Sequence, residues 1–260
     1  MNGRRADPAS NRPALVTGAA KGIGRAIAER LGREGHPIVL HSSPRSLAGA
    51  KAAAANICEF GGKARALACD LSEPYQASRL LPEAAEIFGP LALLVNNAAI
   101  FEADVALSFE RGRLERHLAV NLIAPLLLAR DFAVQVPAGT EAAIVNLIDQ
   151  RVLRPTPQFF SYSLSKSALF AATRTMAQSF APLGIRVNAV GPGPVSPNVS
   201  QGEAGFLQEV QGLPLARGAI CPGDIADAVI FLAAARNITG QMIAVDAGQH
   251  LAWETPDVVI

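Results

Sequence analysis

The sequence predicts an α/β fold: a single domain with a Rossmann-type, doubly wound, parallel seven-stranded sheet and helices on both faces. Short apolar runs alternate along the whole chain with longer segments of helical periodicity. That order is typical of parallel sheets built from strand–helix–strand units. The short runs are apolar almost throughout instead of alternating with polar residues, which indicates strands covered on both faces.

Each element follows from its local pattern. Runs rich in Val, Ile, Leu and Ala predict strands at Ala14–Thr17, Pro37–His41, Ala64–Cys69, Leu91–Val95, Ala142–Ile148, Ile185–Val190 and Gln241–Val245. Segments with apolar residues three or four positions apart predict helices at Ile23–Arg33, Leu47–Phe60, Tyr75–Phe88, Ala106–Val136, Tyr162–Ala181 and Asp224–Ala235. Several of these helices stop at glycine or proline, residues that commonly end helices.

One long stretch has no clear periodicity. Residues 191–219, Gly191–Ala219, are rich in Gly, Pro and Ser and follow the end of a predicted strand. Open α/β sheets bind ligands at the carboxyl ends of their strands. We therefore expect an irregular, mobile substrate lid there, within a domain of residues 13–251 that flexible tails at 1–12 and 252–260 flank.

Composition excludes several kinds of partner. The 260 residues include 23 Lys and Arg against 22 Asp and Glu, and this net charge of +1 favours neither nucleic acid nor an anionic membrane. The apolar stretch from Leu118 to Val136 is interrupted by polar residues and a proline, so no membrane span is expected, and nothing near the start predicts a signal peptide. Three cysteines and four scattered histidines suggest no disulfide framework and no metal site, which favours the cytoplasm.

A glycine-rich segment follows the first predicted strand. It reads T-G-A-A-K-G-I-G and contains Gly18, Gly22, Ile23 and Gly24. Glycine permits a tight turn and lets backbone N–H groups approach a pyrophosphate at a helix N-terminus. An ordinary glycine-rich turn would have the same composition, but the position between a strand and a helix favours a dinucleotide site.

The end of the second strand bears on which dinucleotide binds. Sheets that select NAD usually carry an acidic residue about 20 positions after the glycines, for the ribose hydroxyls. Here residues 41–46 read H-S-S-P-R-S, without a carboxylate. We predict NADPH (NADP) as the cofactor, with its 2′-phosphate near His41, Ser42, Arg45 and Ser46. A solvated loop arginine is the alternative interpretation of Arg45.

A tyrosine and a lysine stand four residues apart. Tyr162 and Lys166 therefore lie on the same face of the predicted helix. A nearby cation favours a phenolate and is expected to lower the phenol pKa from about 10. The tyrosine could then exchange a proton with a substrate near neutral pH.

Together with Asn96-Asn97-Ala98-Ala99, Asn121 in a long helix and Gly191-Pro192-Gly193, these motifs resemble the short-chain dehydrogenase/reductase family from about Ala14 to Leu251. The resemblance implies that Tyr162 transfers the proton, that Lys166 holds the nicotinamide ribose, and that Asn121 organises a water of the proton relay. It also implies cofactor contacts from residues spread along the chain: Asp70, Leu71, Asn97, Ala98, Pro192, Gly193 and Val195.

One position departs from the family pattern. Most members carry a catalytic serine 13 residues before the tyrosine, and this chain has Asp149 there. A carboxylate can pair with an N–H group or relay a proton to nitrogen. Aspartate, tyrosine and lysine in these positions are similar to the pteridine reductase subgroup, which includes bacterial dihydromonapterin reductases. That similarity implies a substrate site at Asp149, Tyr162 and Phe101, whose ring would stack on a pterin.

Two further differences concern pterin recognition. The protozoan pteridine reductases carry an arginine where Gly22 stands and a serine where Ala99 stands. Both residues contact cofactor or pterin in that subgroup. Recognition of a pterin by this chain would therefore need other donors.

The resemblance implies an NADPH-dependent oxidoreductase that reduces a dihydropterin to a tetrahydropterin. A carbonyl or 3-oxoacyl reductase of the same family is the first alternative, although such enzymes generally use the serine that Asp149 replaces. A non-catalytic NADPH-binding regulator is the second. The helices Ala106–Val136 and Tyr162–Ala181 resemble the subunit-packing helices of the family and imply a dimer or a homotetramer, of which we expect the homotetramer.

Overall fold

The computed structural model describes residues 12–197, 201–215 and 218–253. Nearly all of the expected tails, 1–12 and 252–260, fall outside the described residues, so their flexibility stays a prediction. Arg12, at the end of the first tail, is a described residue, and its guanidinium donates a hydrogen bond to the carbonyl of Glu141.

The described residues form a single seven-stranded parallel sheet in the order β3-β2-β1-β4-β5-β6-β7. The predicted doubly wound α/β fold is confirmed. The order reverses between β1 and β4, and the crevice at such a switch point is where this kind of sheet binds ligands. The strands are β1 (Ala14–Val16), β2 (Ile38–Ser42), β3 (Ala64–Ala68), β4 (Leu93–Asn96), β5 (Ala142–Leu147), β6 (Ile185–Pro192) and β7 (Met242–Val245).

Helices cover both faces of the sheet. Ile27, Ile57 and Val229 belong to the core on the face covered by α1, α2 and α8. Leu81 and Phe132 belong to the core on the opposite face, with α3, α5 and α6. The helices are α1 (Gly22–Arg33), α2 (Leu47–Glu59), α3 (Pro74–Phe88), α4 (Arg111–Leu118), α5 (Ala124–Gln135), α6 (Phe160–Phe180), α7 (Gly202–Gln211) and α8 (Pro222–Ala234).

The expectation of one helix over Ala106–Val136 is wrong. The helical stretch begins at Arg111, and one turn of π-helix, Ala119–Ile123, separates α4 from α5. Pro125 explains the interruption, because it has no N–H to donate to the carbonyl four residues earlier. That carbonyl belongs to Asn121, a predicted site residue, and π-turns inside helices are frequent at functional sites.

The expected irregular lid at 191–219 is also wrong in part. Strand β6 runs on to Pro192, and α7 occupies Gly202–Gln211. Phe206 is the buried residue of this helix, and its two glycines and four glutamate or glutamine residues leave the remainder without a continuous apolar face. A single apolar anchor gives little periodicity, which is why the sequence did not indicate a helix. Residues 198–200 and 216–217 lie outside the described residues, and the lid function stays a prediction.

By length and composition, the stretch Arg111–Gln135 could cross a membrane. Its second half, α5, buries Leu128, Ala129 and Phe132 against the sheet. Such packing is that of a core helix in this fold.

Candidate active site

Two adjoining cavities open at the carboxyl ends of the strands. A groove of about 720 Å³ runs past the glycine-rich turn and the ends of β2 and β3. A cavity of about 400 Å³ lies beside it, and Asp149, Tyr162 and Lys166 line this second space. Ile23, Phe101 and Val195 line both. We call the larger space the cofactor groove and the smaller one the catalytic cavity.

The glycine-rich turn has the shape that a pyrophosphate requires. Gly18 and Gly22 have φ angles of +66° and +56°, which favour glycine. A Cβ on Gly24 would lie 2.3 Å from the carbonyl oxygen of Gly18, so this position excludes any side chain. Helix α1 begins at Gly22 with no side chain capping its first turn. Its free N–H groups therefore suit an anion, and the residues present fit a dinucleotide.

Asn97 and Thr17 connect this turn to the end of β4. The Asn97 amide donates to the carbonyls of Thr17 (2.8 Å) and Gly18 (3.1 Å). The Thr17 hydroxyl accepts from the backbone N–H groups of Asn97 (2.9 Å) and Ala98 (3.0 Å). Asn97 lines the groove, as expected, and its side chain also holds the glycine turn in place.

The region expected to bind a 2′-phosphate is only partly assembled. Ser42 and Ser46 line the cofactor groove, and the Ser42 hydroxyl is buried without a hydrogen-bond partner. Arg45 is exposed and does not line the groove. Asp70 and Leu71 line the groove opposite, as expected. Hydrogen bonds from Ser72 lower the pKa of Asp70, and the charge of Arg45 contributes less.

His41 has a structural role in the groove wall. Its Nδ1 accepts from the backbone N–H of Gly18 (3.3 Å), and its Nε2 lies 3.2 Å from the carbonyl of Cys69. This arrangement requires a neutral ring with the proton on Nε2. Burial lowers the His41 pKa to about 4, so the ring is uncharged at neutral pH. Its two nitrogens connect the glycine turn to Cys69, the residue directly after β3.

The His41 pKa predicts acid-sensitive stability. The unfolded chain takes up a proton near pH 6.5 and the folded chain only near pH 4, so the free energy of unfolding falls as the pH is lowered between these values. The loss for this group is on the order of 3 kcal/mol. Urea unfolding at pH 7 and pH 5 measures about 2 kcal/mol of this loss, because pH 5 lies inside the titration window.

The variant for this measurement is His41→Gln, compared with the wild type under the same conditions. We expect His41→Gln to be less stable at pH 7 and to lose less stability on acidification than the wild type. An unchanged slope in His41→Gln would contradict the assignment of a neutral, buried ring.

The residues predicted to be catalytic meet where β5 ends beside α6. The Tyr162 hydroxyl donates to Asp149 Oδ2 at 2.9 Å. Lys166 Nζ donates to the carbonyl of Leu147 at 2.6 Å and lies 5.7 Å from the Tyr162 ring centroid. Tyr162, Lys166 and Asp149 are each no more than 9% exposed. The three residues that the sequence singled out do form one cluster.

The expected effect of Lys166 on the phenol is wrong for this structure. Burial, and then the Asp149 carboxylate, raise the Tyr162 pKa well above its usual value. The positive charge that opposes this rise belongs to Arg151. Burial lowers the Lys166 pKa to about 8. The phenol therefore holds its proton at neutral pH, as a proton donor must.

Asn121 uses its side chain to hold a neighbouring loop. Its amide donates to the carbonyl of Ile100 (3.0 Å) and to Ser165 Oγ (3.1 Å), and its oxygen accepts from the N–H of Ile100 (2.9 Å). The residue is completely buried in the π-turn. Asn121 thus positions the loop that carries Phe101, while a role in a water relay stays a prediction.

Phe101 lies beside the tyrosine, but its ring already has a partner. Its centroid is 4.6 Å from that of Tyr162, edge-on, and 4.2 Å from that of Phe159, stacked at 12°. Phe159 has a φ of +58°, a strained conformation for an aromatic residue. The backbone of Asp104 and its carboxylate cap the following residues, Phe160 and Ser161, and support this strain.

Two residues of the catalytic cavity region were not expected from the sequence. Phe159 stacks on Phe101, and Arg151 lies 5.5 Å and 5.3 Å from the two ring centroids. Arg151 follows Asp149 by two positions after a strand end, a placement that could have drawn attention to it. No sequence signal indicated Phe159, because only the fold brings it to Phe101.

A buried polar chain holds α6 against the sheet. Asn96 donates to Asn146 Oδ1 and Asn146 donates to Thr173 Oγ1, both at 2.9 Å. Breaking such a buried pair costs about 1–3 kcal/mol. The chain links β4, β5 and α6 and so fixes the register between the Asp149 strand end and the Tyr162 helix.

The fold and this site define an oxidoreductase that uses a nicotinamide dinucleotide. The glycine-rich turn at the switch point of the sheet suits an anion, and the adjoining cavity is lined by the buried phenol of Tyr162. A family model described as "Enoyl-(Acyl carrier protein) reductase" matches residues 18–250. A short-chain type dehydrogenase/reductase of Picea abies is 32% identical, over 92% of each chain. The chain belongs to the short-chain dehydrogenase/reductase family.

The chain is also similar to solved structures. FolM alternative dihydrofolate reductase 1 from Brucella canis, complexed with NADP, is 45% identical with a TM-score of 0.91, over 96% of this chain and 98% of that one. The Brucella suis protein of the same name, also with NADP, is 45% identical with a TM-score of 0.92, over 96% and 100%. These neighbours confirm the expected NADP(H) cofactor and the resemblance to pterin-reducing members, since dihydrofolate contains a pterin ring.

Proposed function

We propose that this protein is a cytoplasmic, NADPH-dependent reductase of dihydropterins. The observation that carries the proposal is the 2.9 Å hydrogen bond from Tyr162 to Asp149 beside the catalytic cavity. A serine hydroxyl at position 149 would suit a carbonyl oxygen. A carboxylate holding a phenolic proton suits a substrate nitrogen that must be protonated.

The aromatic residues beside the cavity favour a flat substrate. Phe101 lines the cavity, and Phe159 and Tyr162 support its ring. Aromatic rings pack well against flat heteroaromatic ligands. A pterin could take the place of Phe159 against Phe101 or bind along the edge of that ring.

The proposed chemistry divides between the cofactor and the chain. NADPH, when bound, supplies a hydride, which would add to C6 of a 7,8-dihydropterin. Tyr162 gives its proton to N5, so that a C=N bond becomes CH–NH. Asp149 holds the phenol in place, and the phenolate left behind regains a proton from solvent, which the Asp149 carboxylate can relay. Lys166, with Gly18, Gly22, Gly24 and the rest of the groove, holds and orients the dinucleotide.

NADPH oxidation with a panel of dihydropterins, dihydrofolate and simple ketones tests this function. We expect turnover with at least one dihydropterin at a kcat/KM well above that for any ketone. Turnover confined to ketones or 3-oxoacyl compounds would favour the carbonyl reductase. A protein that binds NADPH but turns over nothing would be the non-catalytic regulator.

The cofactor preference has its own test. We expect NADPH to bind more tightly than NADH, because residues 41–46 at the end of β2 contain no carboxylate and include Arg45. Arg45→Gln should weaken NADPH binding about tenfold and leave NADH unchanged, since a charge-assisted hydrogen bond is lost. Lys51→Gln, an exposed cation on α2, is the matched control. Equal affinity for the two cofactors in the wild type would contradict the prediction.

We propose a homotetramer as the assembly. Three apolar side chains of the helical elements implied in subunit packing are exposed in the single chain: Ile123 (47%), Val134 (82%) and Leu164 (44%). Exposed apolar patches of this kind mark interfaces. Light scattering at micromolar concentration should give about four times the chain mass, and a stable monomer would contradict the assembly.

A further inference from the structure

Arg151 is partly buried in the wall of the catalytic cavity, although nothing in the family pattern indicated it. It sits in a one-turn 3₁₀ helix, Gln150–Val152, directly after Asp149. Its side chain is 19% exposed, and its Nη1 lies 3.4 Å from Asp149 Oδ2. Among the described residues, Arg151 and Lys166 are the cations that line the catalytic cavity.

The guanidinium has hydrogen-bonding capacity that the protein does not use. Arginine carries five N–H donors in a rigid fork. Arg151 Nε is buried and has no hydrogen-bond partner. Lys166, in contrast, already donates to the carbonyl of Leu147. Because Arg151 lines the cavity, a guanidinium with unused donors is best satisfied there by a ligand that offers an acceptor.

Arg151 and Tyr162 converge on the same carboxylate oxygen. Both the Tyr162 hydroxyl and Arg151 Nη1 approach Asp149 Oδ2. Two donors that meet at one oxygen are neighbours, and they match a ligand edge with two neighbouring acceptors. A pterin has such an edge, because its 4-carbonyl oxygen and N5 stand side by side on the ring.

We propose that Arg151 orients the substrate by donating a hydrogen bond from its guanidinium group to the ring carbonyl oxygen of a pterin. The same ring edge then presents N5 to Tyr162. This inference rests on the proposed function and names the residue that selects the substrate. A ketone, which has a single acceptor for Tyr162, gains nothing from Arg151.

A matched pair of ligands tests this role without turnover. Pterin carries a 4-oxo group, and 2,4-diaminopteridine carries an amino group there, which would oppose the arginine donors. Equilibrium titration of both ligands into the enzyme saturated with NADP⁺ gives their affinity ratio. We expect the wild type to prefer the 4-oxo ligand by about 10- to 100-fold, and Arg151→Gln to remove most of that preference.

Steady-state kinetics provide the second readout. Arg151→Gln should raise KM for a dihydropterin about 10- to 100-fold, with a smaller change in kcat and no change in KM for a ketone. Arg154→Gln is the matched control, because Arg154 is exposed and donates to the carbonyl of Gln249 instead of Asp149. A general loss of structure would instead change both substrates and NADPH binding together.

The outcomes separate this inference from the proposed function. If Arg151→Gln keeps the oxo preference, or if the wild type has none, the role of Arg151 is overturned. If the preference depends on Arg151 but no pterin is reduced, the proposed reaction fails and the orienting role stands. Should Arg151→Gln fail to fold, Arg151→Lys keeps the charge without the fork. A reduced preference in that variant supports the inference, and an unchanged one overturns it.

Discussion

Replacing Tyr162 with phenylalanine should reduce turnover by at least about 10³-fold while leaving NADPH binding close to the wild-type value. The phenol is the proton donor that we propose, and its raised pKa keeps it protonated at neutral pH. The ring, which packs edge-on against Phe101, remains in the variant. Initial rates of NADPH oxidation and a fluorescence titration of NADPH measure the two effects.

Tyr75→Phe is the control for this substitution. Tyr75 is the other tyrosine of the chain, on α3, and is 72% exposed. It should behave as the wild type in both measurements. Near-normal turnover in Tyr162→Phe would show that another group supplies the proton.

Replacing Asp149 with serine should lower kcat/KM for a dihydropterin about 100-fold and affect ketone reduction much less. The carboxylate accepts the phenolic hydrogen bond and pairs with Arg151. A serine can still donate to a ketone oxygen, but it leaves the Arg151 charge buried without its partner. The ratio of kcat/KM for the two substrate classes is the measurement.

Asp149→Asn separates charge from shape. In the wild type the backbone N–H of Arg151 donates to Asp149 Oδ1 at 2.8 Å. The asparagine keeps an oxygen that can accept this hydrogen bond, but it loses the negative charge. We expect it to resemble Asp149→Ser with pterins. Asp227→Asn, at an exposed pair with Arg30, serves as the control. Equal losses with pterins and ketones would refute a selective role of Asp149.

Most of the fold could be predicted because its signals are local. Near-continuous apolar runs predicted the strands, and the glycine spacing predicted the start of α1. Tyr162 and Lys166 were predicted to share a helix face because four residues make about one turn. The helix expected at Ala106–Val136 was wrong because one proline ended the regular hydrogen bonding, and α7 was missed because it buries a single phenylalanine.

The cluster around Asp149 shows what spacing alone could not supply. The sequence indicated that Lys166 would lower the phenol pKa, yet the lysine donates to a backbone carbonyl and burial raises that pKa. The direction of the shift in the Tyr162 pKa depends on how deeply the ring is buried and on which charged groups lie near it. Those quantities depend on residues that are far apart in the chain.

The sequence by itself determined the order of strands and helices, the anion-binding turn, the missing acid after β2 and the aspartate that stands before the catalytic tyrosine. Each is a property of neighbouring residues or of fixed spacing along the chain. The tertiary structure alone decided that Phe159 stacks on Phe101 and that Arg151 and Tyr162 meet at one oxygen of Asp149. Such contacts arise only when the ends of separate strands and helices come together at one edge of the sheet, because packing, not spacing, sets the distance between them.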